Sequence, residues 1–198
     1  MRKICVFCGA APGANKEYIA AARETGRILA REKIGLVYGG GIVGLMGVVA
    51  KSVLEHGGEV TGVIPESLMD KEVAFEDLED LRVVKTLYER KALMAELSDG
   101  FIAMPGGIGT IEEYLEVLAL AHLGIHQKPC GILNVCGFYD KLIGFLGFVA
   151  DQKFLDKVNS KMMIVEKEPE ILVAKIKNYT AENPGKVDWV LKMNKKLH

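Results

Sequence analysis

Short apolar runs rich in β-branched residues alternate along this chain with longer stretches of helical periodicity, and no other feature restricts its folding as strongly. Parallel strands need a crossover between them, and a helix supplies it, so a chain ordered this way builds repeated βαβ units around a parallel sheet. The runs predict strands over Lys3–Cys8, Gly35–Tyr38, Glu59–Ile64, Leu81–Val84, Gly100–Met104, Cys130–Leu133 and Met162–Val165. Helices are expected over Lys16–Glu32, Gly44–His56, Thr86–Leu97, Ile108–His122, Phe138–Asp151 and Pro169–Tyr179. The expected class is α/β, a doubly wound parallel sheet with helices on both faces. Its ligand should lie beyond the carboxyl ends of the strands, where the loops after them gather.

The chain has 198 residues, 49% hydrophobic and 26% charged, which suits one compact domain. That domain is expected over residues 1–180, with 181–198, polar and carrying Pro184, Gly185 and several lysines, as a tail or peripheral helix. The acidic, irregular stretch Pro65–Asp80 reads as a long surface loop with room for a short turn of helix. Lysine and arginine number 25 against 26 acidic residues, so no net field draws the protein to nucleic acid or to an anionic membrane. No stretch approaches the roughly 20 apolar residues that a membrane span requires. Cys5, Cys8, Cys130 and Cys136 are ordinary usage and predict a reducing, cytoplasmic setting. The Cys5-x-x-Cys8 pair lies in a strand and its exit with no second pair at zinc-ribbon spacing, so core thiols are expected there and no metal.

Two glycine-rich loops stand between a strand and a helix. The first is Gly39-Gly40-Gly41-Ile42-Val43-Gly44-Leu45-Met46-Gly47, and the second is Pro105-Gly106-Gly107-Ile108-Gly109-Thr110. Without Cβ atoms such loops bring backbone N–H groups close to a phosphate, and the helix that follows adds partial positive charge. Thr110 can cap its helix or offer its hydroxyl to a phosphate oxygen. Gly39, Gly41 and Gly44 also match the dinucleotide fingerprint G-x-G-x-x-G, with Glu66 downstream. That reading is weakened because the loop follows the second strand and Pro65 precedes the acid. Neither loop is a phosphate-binding Walker loop, since no Gly-Lys-Ser/Thr follows.

Glu112, Glu113 and Glu116 occupy the first turns of the helix leaving the second loop, where the macrodipole favours acids. Helical spacing puts Glu112 and Glu116 on one face and Glu113 on another, with Ile111, Leu115 and Leu118 as the buried stripe. Arg90 and Lys91 lie early in their helix, where cations gain nothing from the dipole, and either serve a site or form a solvated pair. Met46 and Met94 are expected in the core or lining a pocket, and Lys128 at the surface.

The stretch from Arg90-Lys91-x-x-Met94 through Pro105-Gly106-Gly107-x-Gly109-Thr110-x-x-Glu113 resembles the LONELY GUY (LOG) family of cytokinin riboside 5′-monophosphate phosphoribohydrolases, many of which carry the older label "lysine decarboxylase-like". The likeness also takes in Val6-Phe7-Cys8-Gly9, the Gly39–Gly47 loop, Ile64-Pro65 and Leu123-Gly124-Ile125-His126-x-Lys128-Pro129. It implies a Rossmann-like, usually dimeric hydrolase that releases a free base and ribose 5-phosphate from an adenine-type nucleotide, with no cofactor. The family's catalytic arginine and glutamate match Arg90 and Glu113. Lys91, Met94, Gly106, Gly107, Gly109, Thr110, Glu112 and Glu116 match positions that line the family's site, and Gly41 and Gly44 of the first glycine loop are expected to hold the substrate with them. Two departures touch recognition: Ala10 and Ala11 stand where serines are common, and Tyr88 replaces a common histidine. The decarboxylase label implies a Schiff-base lysine on pyridoxal phosphate, and no lysine here has a persuasive setting for one. A nucleotide-binding sensor without turnover is the alternative from another class.

Overall fold

The computed structural model describes residues 1–69, 74–155 and 162–181. Its strands are β1 (Lys3–Phe7), β2 (Gly35–Tyr38), β3 (Val60–Pro65), β4 (Asp80–Val84), β5 (Gly100–Ala103), β6 (Cys130–Leu133) and β7 (Met163–Glu166). Between and after them run α1 (Lys16–Arg31), α2 (Gly44–Glu55), α3 (Leu87–Glu96), α4 (Ile108–His122), α5 (Asp140–Asp151) and α6 (Pro169–Lys177). Every expected element is present, its ends displaced by at most a residue or two, as helix and strand ends commonly are. The tail expected over 181–198 lies outside the described residues from 182 on.

One seven-stranded sheet has the order β4-β3-β2-β1-β5-β6-β7, with every neighbouring pair parallel. The chain winds outward from β1 to β4, returns to the other side of β1 at β5, and winds outward again to β7. The order therefore reverses between β1 and β5. At such a switch point the loops leaving two adjacent strands diverge to opposite faces and leave a crevice. Here the Gly9 N–H donates to the Pro105 carbonyl (3.1 Å), tying the loop after β1 to the loop after β5.

Alternation along the buried strands sends side chains to two cores. Ile4 and Val6 face α1, α2 and α6, where Leu29, Val49, Val53 and Leu172 are buried with them. Cys5 and Phe7 face the opposite layer, with Met94 of α3 and Tyr114 and Val117 of α4. The two cysteines of the C-x-x-C thus enter different cores, Cys5 one and Cys8 the other. Helices α1 and α2 approach closely because Gly26 has no Cβ, which would stand 2.7 Å from the Val49 carbonyl oxygen.

Two expectations need correction. The segment Pro65–Asp80 is not wholly a surface loop: the Phe75 N–H donates to the Gly40 carbonyl (2.8 Å), and Phe75 and Leu78 are buried in the first core. Acidic neighbours such as Glu76, Asp77 and Glu79 conceal these two apolar anchors in the sequence. On α4 the fully buried stripe is Thr110, Tyr114, Val117 and Ala121. Ile111, Leu115 and Leu118 are only half-buried, because α4 is rolled so that its second apolar face meets α5 and β7 across a groove lined by Leu115, Leu118, Ile143 and Met163.

Gly44 opens α2 with φ +60°, and a Cβ there would lie 2.3 Å from the Ala10 carbonyl carbon. Backbone cannot yield as a side-chain end can, so Gly44→Ala combines left-handed strain with a clash. We expect a loss of about 3 kcal/mol, or roughly 6–12 °C in Tm. Calorimetry giving an unchanged Tm would contradict this packing.

Candidate active site

A cavity of about 530 Å³ opens at the β1/β5 switch point, in the size range of small-molecule sites. Its floor is the end of β1 and the turn after it, from Val6 to Ala10, with Gly39 and Met46 beside them. Helix α3 supplies Leu87, Tyr88, Arg90, Lys91 and Met94, the α4 entry supplies Gly107, Gly109, Thr110, Glu112 and Glu113, and Leu68 closes one side.

The two helix starts at this crevice differ in what they leave open. At α2 the Leu45 and Met46 N–H groups both donate to the Gly9 carbonyl (2.9 and 3.3 Å). That oxygen satisfies donors that a phosphate would need. At α4 the cap is Gly107 with no side-chain cap bond, and Ile108 and Gly109 are exposed. Gly107, Gly109 and Thr110 line the cavity, so the positive end of the α4 macrodipole lies beside it. Gly106 and Gly9 pack nearly back to back, the ideal Cβ of Gly9 standing 3.3 Å from the Gly106 Cα. A Cβ on Gly106 would in turn stand 2.2 Å from the Thr110 hydroxyl.

Arg90 is 5% exposed although it lies in the first turn of α3. Its Nη2 donates to the Gly39 carbonyl (3.1 Å), so the guanidinium spans from α3 to the loop after β2. Helix α3 is set for this by its cap: Thr86 Oγ1 accepts from the Glu89 N–H (3.1 Å), and Glu89 accepts from the Lys85 N–H (2.9 Å). Lys128, expected at the surface, reaches the other end of α3 and donates to the Ala95 carbonyl (2.8 Å). Glu113 is half-buried on the facing wall. The charges of Arg90 and Glu113 both reach the buried thiol of Cys8. Burial first, then Glu113, pushes that thiol well above its usual range, against a smaller opposing pull from Arg90. Cys8 is therefore neutral at physiological pH and is no thiolate nucleophile.

Lys91 bridges the two helices. Its Nζ stands 2.6 Å from Glu112 Oε1 and 2.7 Å from Glu116 Oε2, the i, i+4 face anticipated from spacing. Hydrogen bonds from these two carboxylates hold the ammonium well above the ordinary lysine range.

Residues 46–176 match a family model described as a possible lysine decarboxylase. A cytokinin riboside 5′-monophosphate phosphoribohydrolase LOG of Oryza sativa subsp. japonica is 45% identical over 188 residues, 95% of this chain and 78% of that protein. The chain belongs to the LOG family. A second relative, a cytokinin riboside 5′-monophosphate phosphoribohydrolase of Arabidopsis thaliana, is 44% identical over 184 residues, 93% of this chain and 81% of that protein. Among solved structures, the molybdenum cofactor binding protein of Rippkaea orientalis superposes with a TM-score of 0.67 at 24% identity, covering 89% of this chain and 96% of its own. The molybdenum cofactor carrier protein of Chlamydomonas reinhardtii gives 0.65 at 23%, with the same two coverages. These two share the Rossmann-like fold with this chain.

Of the residues expected at the site, this LOG-family chain brings Arg90, Glu113, Lys91, Met94, Gly107, Gly109, Thr110 and Glu112 to one cavity. Gly41, Gly44, Gly106 and Glu116 do not line it. Gly41 bridges to Ala74, Gly44 and Gly106 permit close backbone packing, and Glu116 reaches the wall only through Lys91. Gly9, Gly39 and Tyr88 on this wall were marked by the glycine loop and the family likeness, whereas Leu68 and Leu87 carried no signal in the sequence.

The decarboxylase description implies pyridoxal phosphate held by a lysine as a Schiff base. These residues do not suit it. Among the described residues Lys91 is the one lysine on the cavity wall, and Glu112 and Glu116 hold it charged, whereas imine formation needs a free amine. Among the described residues no group of three His, Cys, Asp or Glu side chains is placed to hold a metal ion.

Proposed function

We propose that this LOG-family chain hydrolyses the N-glycosidic bond of an adenine-type nucleoside 5′-monophosphate, a cytokinin riboside 5′-monophosphate or AMP, releasing the free base and ribose 5-phosphate. One observation carries the reading: a buried arginine and a carboxylate share a cavity with a helix N-terminus that has no side-chain cap. The relatives' named activity supports it.

In this reaction the C1′–N9 bond breaks, water oxygen bonds to C1′, and a proton passes to the departing base. Positive charge develops on the ribose and negative charge on the base, so the site must meet both. Glu113 stabilises the ribosyl cation and orients the water, while Arg90 neutralises the leaving base or holds the phosphate. The amides of Gly107 to Thr110 at the start of α4 are the natural seat for the 5′-phosphate. The capped start of α2 shifts that role away from Gly41 and Gly44. Leu68, Leu87 and Tyr88 add an apolar, aromatic side against which a base can stack.

We further infer a cytoplasmic homodimer. Phe145 and Phe148 on α5 are more than half exposed beside the apolar groove between α4, α5 and β7, a surface that pairing of two copies would cover. The four free cysteines suit a reducing compartment. Among the described residues no helix is long and apolar enough to cross a membrane. Sedimentation equilibrium should give twice the 21.6 kDa chain mass; a monomer at micromolar concentration would remove the pairing.

Free base followed by chromatography, with AMP and with isopentenyladenosine monophosphate as substrates, tests the activity. Base release from either establishes the hydrolase and ranks the two. Measurable binding with intact nucleotide would instead make the protein a nucleotide sensor.

A further inference from the structure

Helix α3 packs Met94 fully, and Leu93 and Ala95 partly, against the second core. It is 10 residues long, and its only fully buried residues are Arg90 and Met94. Polar contacts add to this packing: Arg90 donates to the Gly39 carbonyl and Lys128 to the Ala95 carbonyl. The contact that joins α3 to α4 lies next in sequence to Arg90: Lys91 Nζ reaches Glu112 and Glu116 on α4 at 2.6 and 2.7 Å and stands 5.5 Å from the centroid of the Tyr88 ring. The Lys91 side chain is 17% exposed, whereas those of Glu112 and Glu116 are 53% and 40% exposed, so the cation is the enclosed member of the cluster.

We propose that Lys91 is a positioning residue, an ionic latch between α3 and α4 that sets the spacing of Arg90 and Glu113 and the tilt of Tyr88, and that it is not a ligand for the substrate phosphate. The part concerning Arg90 and Glu113 rests on the function proposed above. Adjacent residues on each helix carry the two pairs: Arg90 and Lys91 on α3, Glu112 and Glu113 on α4. Fixing Lys91 against Glu112 therefore fixes the neighbouring pair to within a side chain's play. Charge argues against a phosphate ligand. Two carboxylates around one ammonium leave the cluster net negative, and a phosphate dianion seated there would be repelled. The start of α4 offers an anion better terms. Tyr88, 81% exposed at the cavity mouth, has its ring held by the same ammonium through a cation–π contact.

The test compares Lys91→Met, which keeps the stem and removes the charge, with Lys91→Arg and with the relocated pair Lys91→Glu/Glu116→Lys. Three quantities are read: kcat and KM for base release, the affinity for ribose 5-phosphate by calorimetry, and amide hydrogen exchange over α3. Lys91→Met should lower kcat about 30-fold, leave ribose 5-phosphate affinity within about threefold, and speed exchange of the Arg90 to Leu97 amides. Lys91→Arg should restore most of the rate, and the relocated pair should recover the slow exchange. A more than tenfold loss of ribose 5-phosphate affinity would make Lys91 a phosphate ligand and overturn the proposal. Unchanged exchange in Lys91→Met would overturn it equally. If wild-type protein released no base, the functional reading would fail alone, because exchange and ribose 5-phosphate affinity still decide whether Lys91 is a latch.

Discussion

Glu113→Gln is expected to reduce base release about a thousandfold in kcat while changing ribose 5-phosphate affinity by less than a factor of three. The amide keeps the shape of the carboxylate on the wall formed by α4, so the helix and its half-buried position should persist. What disappears is a negative charge facing a ribose that becomes cationic only as the glycosidic bond breaks. An interaction made in the transition state alone lowers kcat and kcat/KM together and leaves ground-state binding nearly intact. Single-turnover base release, with binding measured separately, distinguishes the cases. Residual activity within tenfold of wild type would remove Glu113 from the chemistry, and a parallel loss of binding would recast it as a substrate-holding group.

Gly39→Ala tests Arg90 from the opposite direction, without altering it. An ideal Cβ on Gly39 would stand 2.0 Å from Arg90 Nη2 and 3.0 Å from Met46 Sδ. Both atoms are ends of flexible side chains, so the fold can relax around the methyl group. The guanidinium cannot keep its 3.1 Å bond to the Gly39 carbonyl while doing so. We expect kcat/KM to fall about a hundredfold, near 2.7 kcal/mol, with Tm lowered by only a few degrees. Wild-type kinetics in this variant would mean that the position of Arg90 does not matter to the reaction. Gly44→Ala provides a useful contrast, since there the methyl group meets backbone and stability should carry the loss.

The candidate site was legible where its chemistry is written in consecutive residues. Arg90 through Met94 and Gly106 through Glu113 are motif stretches, and the resemblance they carry led to Arg90 and Glu113, which the structure brings to one cavity. The first glycine loop was only half legible. Its glycines mark a tight strand-to-helix turn, but no local pattern shows that the Gly9 carbonyl from another strand occupies the donors of α2. Lys91 was legible as a wall residue, but its two carboxylate partners Glu112 and Glu116 lie on another helix and no local pattern joins them to it. Phe75 and Leu78 were hidden by acidic neighbours, although two apolar side chains in so polar a stretch were the available hint.

Alternating short and long apolar periods by themselves determined the elements, their order and the parallel α/β class, because each period is a property of a dozen neighbouring residues and of the face they bury. Which strands became neighbours was decided only in three dimensions. The order β4-β3-β2-β1-β5-β6-β7 brings Gly9 to Pro105, Arg90 to Gly39 and Lys91 to Glu112, and these contacts make the cavity. Their partners are far apart along the chain, and their meeting depends on how two helix layers close over one twisted sheet, a long-range packing outcome that no local periodicity encodes.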